Sequence, residues 1–181
     1  MKIKLATLDD LKYIKSLSNK ESKSIGFIPL IAYESAITGI KKSIHRWSDK
    51  CNDKLWICTE NDDSVGFLMV SYGSVAKINQ IVLQEDARKI QRGKALLKEG
   101  IEHGLKKGIY DFGCGCADDL ESNLFWKAMG WTKVSERKGI SYRNTWKESS
   151  DRKINIYRYQ ELSLFNNELN PVQKRGVQDL L

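Results

Sequence analysis

Proline is nearly absent from this chain, with 2 in 181 residues, and no long internal repeat is visible. Together these exclude collagen, coiled coils and wholesale disorder. Cysteine is also scarce. Cys51, Cys58, Cys114 and Cys116 in a chain of this length, with no apolar leader, fit reduced thiols and not a disulfide framework. No run approaches the roughly 18 to 20 consecutive apolar residues of a membrane helix. Met1 to Leu5 also leads directly into polar sequence, so the reading is a cytoplasmic protein without a membrane span or export signal. What the chain does have is charge and enough apolar content for a core. At 41% hydrophobic and 29% charged it suits one domain. Its 30 Lys+Arg against 23 Asp+Glu leave a net charge of +7, which favours anionic partners such as nucleotide phosphates, nucleic acid or acidic surfaces.

Residues 2–6 alternate polar and apolar like a half-buried strand, and Thr7 is placed to cap a helix that would bury Leu8, Leu11, Ile14 and Leu17. Ile25 to Pro29 breaks that helix, and Leu30 to Trp47 reads as a second one. Three strands are expected next, Leu55–Thr59, Val65–Tyr72 and Val75–Leu83, the first two joined by the turn residues Asn61 to Ser64. A helix over about 91–106, a strand Ile109–Cys114 and a helix from Ala117 to about Met129 follow, with carboxylates at the last helix start and Gly130 at its end. Trp131–Glu136 and Ile154–Tyr159 are the last strands, joined by a polar basic stretch. The predicted order, β-α-α-β-β-β-α-β-α-β-β, matches neither a dinucleotide fold nor a barrel. Residues 1–160 form the domain, and 161–181 are a tail, helical if ordered, whose leucines suit packing on the domain or on a partner.

The most informative run is Val82 to Leu97. From Arg88 to Lys98 there are five basic residues and no acidic one, where a strand ends and a helix begins. A helix start offers unpaired N–H groups and the positive end of a dipole, the requirements for holding a pyrophosphate. Gly93 would let the backbone approach the anion closely.

This run resembles motif A of the GCN5-related N-acetyltransferase (GNAT) superfamily, Arg/Gln-x-x-Gly-x-Gly/Ala. In one register Arg88 takes the first position and Gly93 the last glycine, with Gln91 in place of the first glycine. In the other, Ile90-x-x-Gly93-x-Ala95 keeps Gly and Ala without the leading Arg. Asp119 to Trp131 resembles motif B, Asn-x-x-Ala-x-x-Phe-Tyr-x-x-x-Gly-Phe, with Asp119, Ser122, Trp126 and Trp131 standing for Asn, Ala, Tyr and the last Phe. The resemblance implies an α/β (α+β) GNAT fold: a mixed, mostly antiparallel sheet flanked by helices and splayed between its fourth and fifth strands. It implies acetyl-CoA as cofactor, held by Ile81, Val82 and Leu83 at the acyl end, by Arg88, Lys89, Gln91, Arg92, Gly93, Lys94 and Ala95 at the pyrophosphate, and by Asp119, Asn123 and Trp126 on the motif-B side.

Acetyl transfer needs a neutral amine, a polarised thioester carbonyl and a proton for the leaving thiolate. The motif-B Tyr that serves as the superfamily's acid is replaced by Trp126, whose indole N–H is not an acid at neutral pH. Glu85, Asp118 and Asp119 are candidate water-relayed bases, Tyr110 and Tyr142 candidate acids, and none is singled out. Asn79 and Gln80, on the strand where relatives hold a base, are not basic. Cys114-Gly115-Cys116 lacks a second ligand pair, with His45 and His103 on unrelated predicted helices, so it reads as buried strand-end cysteines and not as a metal site.

Residues 137–158 carry seven basic and two acidic residues, interleaved with Tyr142, Trp146 and Tyr157. In the superfamily this connection borders the acceptor, which makes Arg143, Trp146, Lys147 and Arg152 candidate acceptor contacts. The expectation is an acetyl-CoA-dependent N-acetyltransferase acting directly on a primary amine of a protein, peptide or small molecule. Two alternatives stand beside it: a nucleobase-modifying relative of the phage Mom type, and a binding module that has lost catalysis.

Overall fold

The computed structural model describes residues 1–43, 46–88, 90–143 and 146–160, with side chains except those of 41–43, 46–50, 90, 140–143, 146–150 and 160. β1 (Lys2–Leu5) leads through a 3-10 turn at Leu8–Asp10 into α1 (Leu11–Lys20), α2 (Ser22–Ile25) and α3 (Leu30–Thr38). The Asp10 carboxylate reaches back to accept the Thr7 backbone N–H at 2.8 Å and its hydroxyl at 3.0 Å, which fixes the entry to α1. Because that first turn is 3-10, Leu8 falls off the buried stripe and is 56% exposed, contrary to the expected helix face. Ile14 and Leu17 are buried and Leu11 packs beside them.

The expected second helix is cut short. α3 stops at Thr38 because Gly39 takes the left-handed conformation at φ +73, and its N–H bonds back to Ser35. The segment read as the rest of that helix forms a hairpin of β2 (Ile40–Ser43) and β3 (Arg46–Lys50). His45, expected on that helix, lies outside the described residues.

β4 (Asp53–Glu60), β5 (Asp63–Tyr72) and β6 (Ala76–Leu83) form the expected meander, with Asn61 and Asp62 both at positive φ in the first turn. After a second 3-10 turn at Glu85–Ala87 come α4 (Ile90–Leu105), β7 (Asp111–Ala117), α5 (Ser122–Ala128), β8 (Thr132–Arg143) and β9 (Trp146–Gln160). The main sheet runs β1-β4-β5-β6-β7-β9-β8, with β6 and β7 the parallel pair in an otherwise antiparallel order. β8 and β9 extend well beyond the predicted strands and absorb most of the polar basic stretch, from 137 to 143 and from 146 to 153.

Helices cover both faces of the sheet, so its central strands are apolar at consecutive positions. On β4 and β5, Leu55, Ile57, Phe67 and Met69 pack with Ile14, Leu17 and Tyr33 from α1 and α3. The alternate residues Trp56, Cys58, Leu68, Val70 and Tyr72 pack with Leu96 and Leu97 of α4 and with Phe112. The sheet thus holds α1–α3 over one face and α4 and α5 over the other.

Candidate functional site

The β6–β7 ladder is short. It joins Ala76 to Phe112, Lys77 to Gly113 and Ile78 to Cys114, although β6 continues to Leu83 and β7 to Ala117. The break coincides with a bulge. Met69 of β5 faces Gln80 and Val70 faces Ile78, so Asn79 is the extra residue, and its amide is tied to the Ser71 hydroxyl at 2.6 Å. A bulge increases local twist and turns a strand away from its neighbour. From Asn79 to Leu83, β6 therefore has no sheet partner on its β7 side among the described residues.

A cavity of about 530 Å³ fills the gap. Its walls are β6 from Ile78 to Leu83 and β7 from Cys114 to Cys116, with Glu21, Ser24 and Ile25 over it and Asp119 to Ser122 and Trp126 beside it. A second cavity, about 460 Å³, shares Ile81, Leu83, Arg88, Ser122 and Trp126 with the first and reaches Gly93 at the start of α4. The two form one groove from the splay to the N-terminus of a 16-residue helix, whose first N–H groups have no intrahelical acceptor.

The predicted cofactor contacts fall into two groups. Ile81, Val82, Leu83, Arg88, Asp119 and Trp126 line the slot, and Gly93 lines the adjoining cavity. Gln91 and Lys94 are exposed on α4 and Ala95 is half-buried, all outside the lining. Arg92 also points elsewhere, pairing with Glu60 and donating to the Ala87 carbonyl at 3.1 Å. Asn123 is a staple within the fold: its amide N–H groups donate to the Ala117 and Leu120 carbonyls at 2.7 and 2.6 Å, and its oxygen accepts from Asn155 and Tyr157, each at 2.9 Å. Lys89 lies outside the described residues, as do the side chains of Tyr142, Arg143, Trp146 and Lys147.

Gly93 has a packing role within the fold. A Cβ there would meet Phe125 Cε2 at 2.8 Å and Cζ at 3.2 Å, so the glycine lets α5 dock on the first turn of α4. Arg88 pairs with Glu21 at 2.6 Å and donates to the Leu83 carbonyl at 3.4 Å. Asp119 pairs with Arg152 at 2.9 Å. Glu85, by contrast, lines a separate cavity with Tyr13 and Lys20 and takes no part in the slot.

Sequence reasoning passed over Gln80 because it is not a base. Only 3% exposed on the slot wall, it accepts from Tyr33 at 2.7 Å through Oε1, and Tyr33 meets Ser18 at 2.6 Å, a buried chain linking β6 to α3 and α1. Burial pushes the Tyr33 hydroxyl up, so it stays a neutral donor. Ser122 was legible only as a motif position. Its hydroxyl lies 3.2 Å from the Cys116 thiol, and Trp126, one turn further along the same face of α5, also hydrogen-bonds that thiol.

Cys114 and Cys116 are free and buried, as expected for strand-end cysteines. Burial pushes both thiols up; at Cys116 the hydrogen bonds from Ser122 and Trp126 oppose it. Two results follow. Iodoacetamide at neutral pH should label half-buried Cys51 first and the buried Cys58, Cys114 and Cys116 slowest in peptide mapping, since the thiolate is the nucleophile. Stability should also fall as pH rises above the ordinary thiol value of 9.0, because the unfolded thiols ionise there and the folded ones do not. Urea unfolding at pH 8 and pH 10 measures this.

Among the described residues no group of three or more His, Cys, Asp or Glu is placed to hold a metal ion, and no helix is long and apolar enough to cross a membrane. No family model and no curated protein matches the sequence. Solved structures do match its fold. A ribosomal-protein-alanine N-acetyltransferase from Brucella melitensis superposes with a TM-score of 0.65 at 12% identity, over 88% of this chain and 99% of that one. The ribosomal-protein-S18-alanine N-acetyltransferase from Escherichia coli gives 0.64 at 14% identity, over 93% and 98%. An N-acetyltransferase from Staphylococcus aureus Mu50 gives 0.66 at 15% identity, over 88% and 97%. At such identities the likeness is one of fold.

Proposed function

We propose that this chain, whose fold is that of the GCN5-related N-acetyltransferase superfamily, is an acetyl-CoA-dependent N-acetyltransferase that passes the acetyl group directly to a primary amine of a protein, peptide or small molecule. The observation that carries this reading is the bulged, splayed slot running into the start of α4. A long, thin molecule with an anionic end fits such a groove: a free strand edge offers N–H and C=O groups along it, and a helix N-terminus with Arg88 receives the phosphates.

Acetyl-CoA, when bound, supplies the activated thioester. The chain's own contributions are distinct. The unpaired edge of β6 beyond Asn79 can donate N–H groups toward an acyl oxygen, which stabilises negative charge where it develops. Asn79 and Gln80 are each held by hydrogen bonds, so that edge is rigid before a ligand arrives. Ser122 places a hydroxyl on the opposite wall, where the Trp126 ring has none to offer.

Of the carboxylates on the cavity wall, Glu21 and Asp119 are paired with Arg88 and Arg152, and Glu121 adds negative charge that disfavours a phosphodiester acceptor, which supports amine acetylation ahead of base modification. Direct transfer is favoured because Cys114 and Cys116 are buried and protonated, and no histidine lines the slot wall among the described residues.

The test is mass spectrometry of the purified protein for co-purifying coenzyme A, followed by thiol release from acetyl-CoA across an amine library. Absence of both coenzyme A binding and thiol release above background would refute the proposal. Cys114→Ala with Cys116→Ala should retain at least about a third of the acceptor-dependent rate, since neither forms an acyl-enzyme. An acetyl-cysteine trapped on the kinetic path would show otherwise.

A further inference from the structure

A strap crosses the slot, and it is fastened to three elements. It runs from Glu21 at the end of α1, through α2, to Gly26. The Glu21 carboxylate, with 13% of its side chain exposed, pairs with Arg88 at 2.6 Å. The Lys23 carbonyl accepts from Arg152 Nη1 at 3.2 Å, and Arg152 is itself anchored on Asp119 at 2.9 Å. The Gly26 carbonyl accepts from Gln80 Nε2 at 3.2 Å. Gln80 belongs to β6, while Arg152 belongs to β9, which pairs with β7. The strap therefore ties together the two walls that the splay separates, and Ser24 and Ile25, between its fastenings, close over the cavity.

The first fastening sets one anion against another. Arg88 is the cation shared by both cavities at the approach to α4, and its guanidinium is taken by a carboxylate of the same chain. Resting on the cofactor reading above, we propose that the Glu21–Gly26 strap is an autoinhibitory latch: Glu21 occupies Arg88 when the slot is closed, and the cofactor's pyrophosphate must displace it to open the slot. Once Arg88 turns to the phosphates, Glu21 is a largely enclosed carboxylate without a counter-charge beside new negative charge, so it and the α2 turn leave together. Cofactor affinity is then lowered by the fraction of molecules that are latched. It also follows that Arg152 acts as a clasp on the strap, and that the acceptor reaches the slot after the cofactor has opened it.

Coenzyme A binding to the full chain, by calorimetry and stopped-flow, tests the latch. Glu21→Gln keeps the shape of the side chain and removes its charge; it should bind coenzyme A about two- to fivefold tighter, with faster association. Arg88→Ala should bind more weakly. Adding Glu21→Gln to Arg88→Ala should then change nothing, since the two residues share one interaction. Arg152→Gln, which frees the Lys23 carbonyl, should speed association with Arg88 still paired. The latch is overturned if Glu21→Gln binds no tighter than the unsubstituted chain. It is equally overturned if the gain persists without Arg88, which would mark simple repulsion between Glu21 and the ligand. Absence of coenzyme A binding in all five proteins, the unsubstituted chain included, would instead sink the cofactor reading, and the latch with it.

Discussion

Gly93→Val is expected to abolish coenzyme A binding in a protein that still folds. A Cβ at this position would lie 2.8 Å from Phe125 Cε2, and valine adds two methyl groups beyond it. The Phe125 ring is wedged edge-on against Trp126, their centroids 5.2 Å apart, so it cannot rotate away without moving its neighbour. Overpacking of this kind costs about 1–3 kcal/mol. In a chain of this size that lowers Tm by roughly 2–12 °C. The larger consequence is geometric. Gly93, Phe125 and Trp126 form one wall of the cavity at the start of α4, and Trp126 continues into the slot. Pushing α5 off α4 deforms the groove where the phosphates and the attached chain would lie. Calorimetry should show at least about a hundredfold loss of affinity, with near-native circular dichroism. Normal binding by the folded variant would mean that this end of the groove is not the phosphate site. Gly93→Ala, with one added carbon against a ring edge, should lose much less.

Trp126→Ala should have the largest effect on stability, about 3–5 kcal/mol by urea unfolding. The side chain is 5% exposed, packs against Phe125 and Trp131, and forms a wall common to both cavities. Its removal opens a void that the short α5 cannot close. Trp126→Phe separates packing from hydrogen bonding. It retains most of the contact but deletes the donor to Cys116, one of the two hydrogen bonds that oppose burial at that thiol. The Cys116 thiol should then be harder to ionise, and its alkylation rate at a fixed pH above 9 should fall. A faster rate would show instead that Trp126 shields the thiol sterically. If Trp126→Ala cost less than about 1 kcal/mol, the site would have collapsed around the gap.

The sequence by itself determined the central architecture. The apolar runs within 55–59 and 65–72 marked strands, which the fold covers on both faces, and the basic run after Leu83 marked the start of a helix. Phe125, Trp126, Gly130 and Trp131 were legible together through the resemblance to motif B, and Gly130, legible by itself as a helix end, does take φ +79. The length of α3 was not legible: Ile40 to Trp47 has apolar residues at helix-compatible spacing, and the stop comes from Gly39 alone. Nor was the full length of β8 and β9. Between Arg137 and Lys153 the sequence is polar and basic with little apolar alternation, so nothing in it marks the strands' continuation past Glu136 and before Ile154.

Only the tertiary structure decided which charged residues meet which. Arg88 and Arg92 lie four residues apart in one basic run, yet Arg88 is drawn to Glu21 across the slot and Arg92 to Glu60 on β4. Asp119 and Arg152 are brought together from different elements, as are Gln80 and Gly26. Such pairings depend on where distant elements come to rest, and helix or strand period carries no information about that. The widening of the slot belongs to the same class. It follows from one extra residue, Asn79, set against β5, and a bulge is defined by the partner strand it fails to match. A sequence shows the local period of each strand, and the mismatch exists only once two strands are paired.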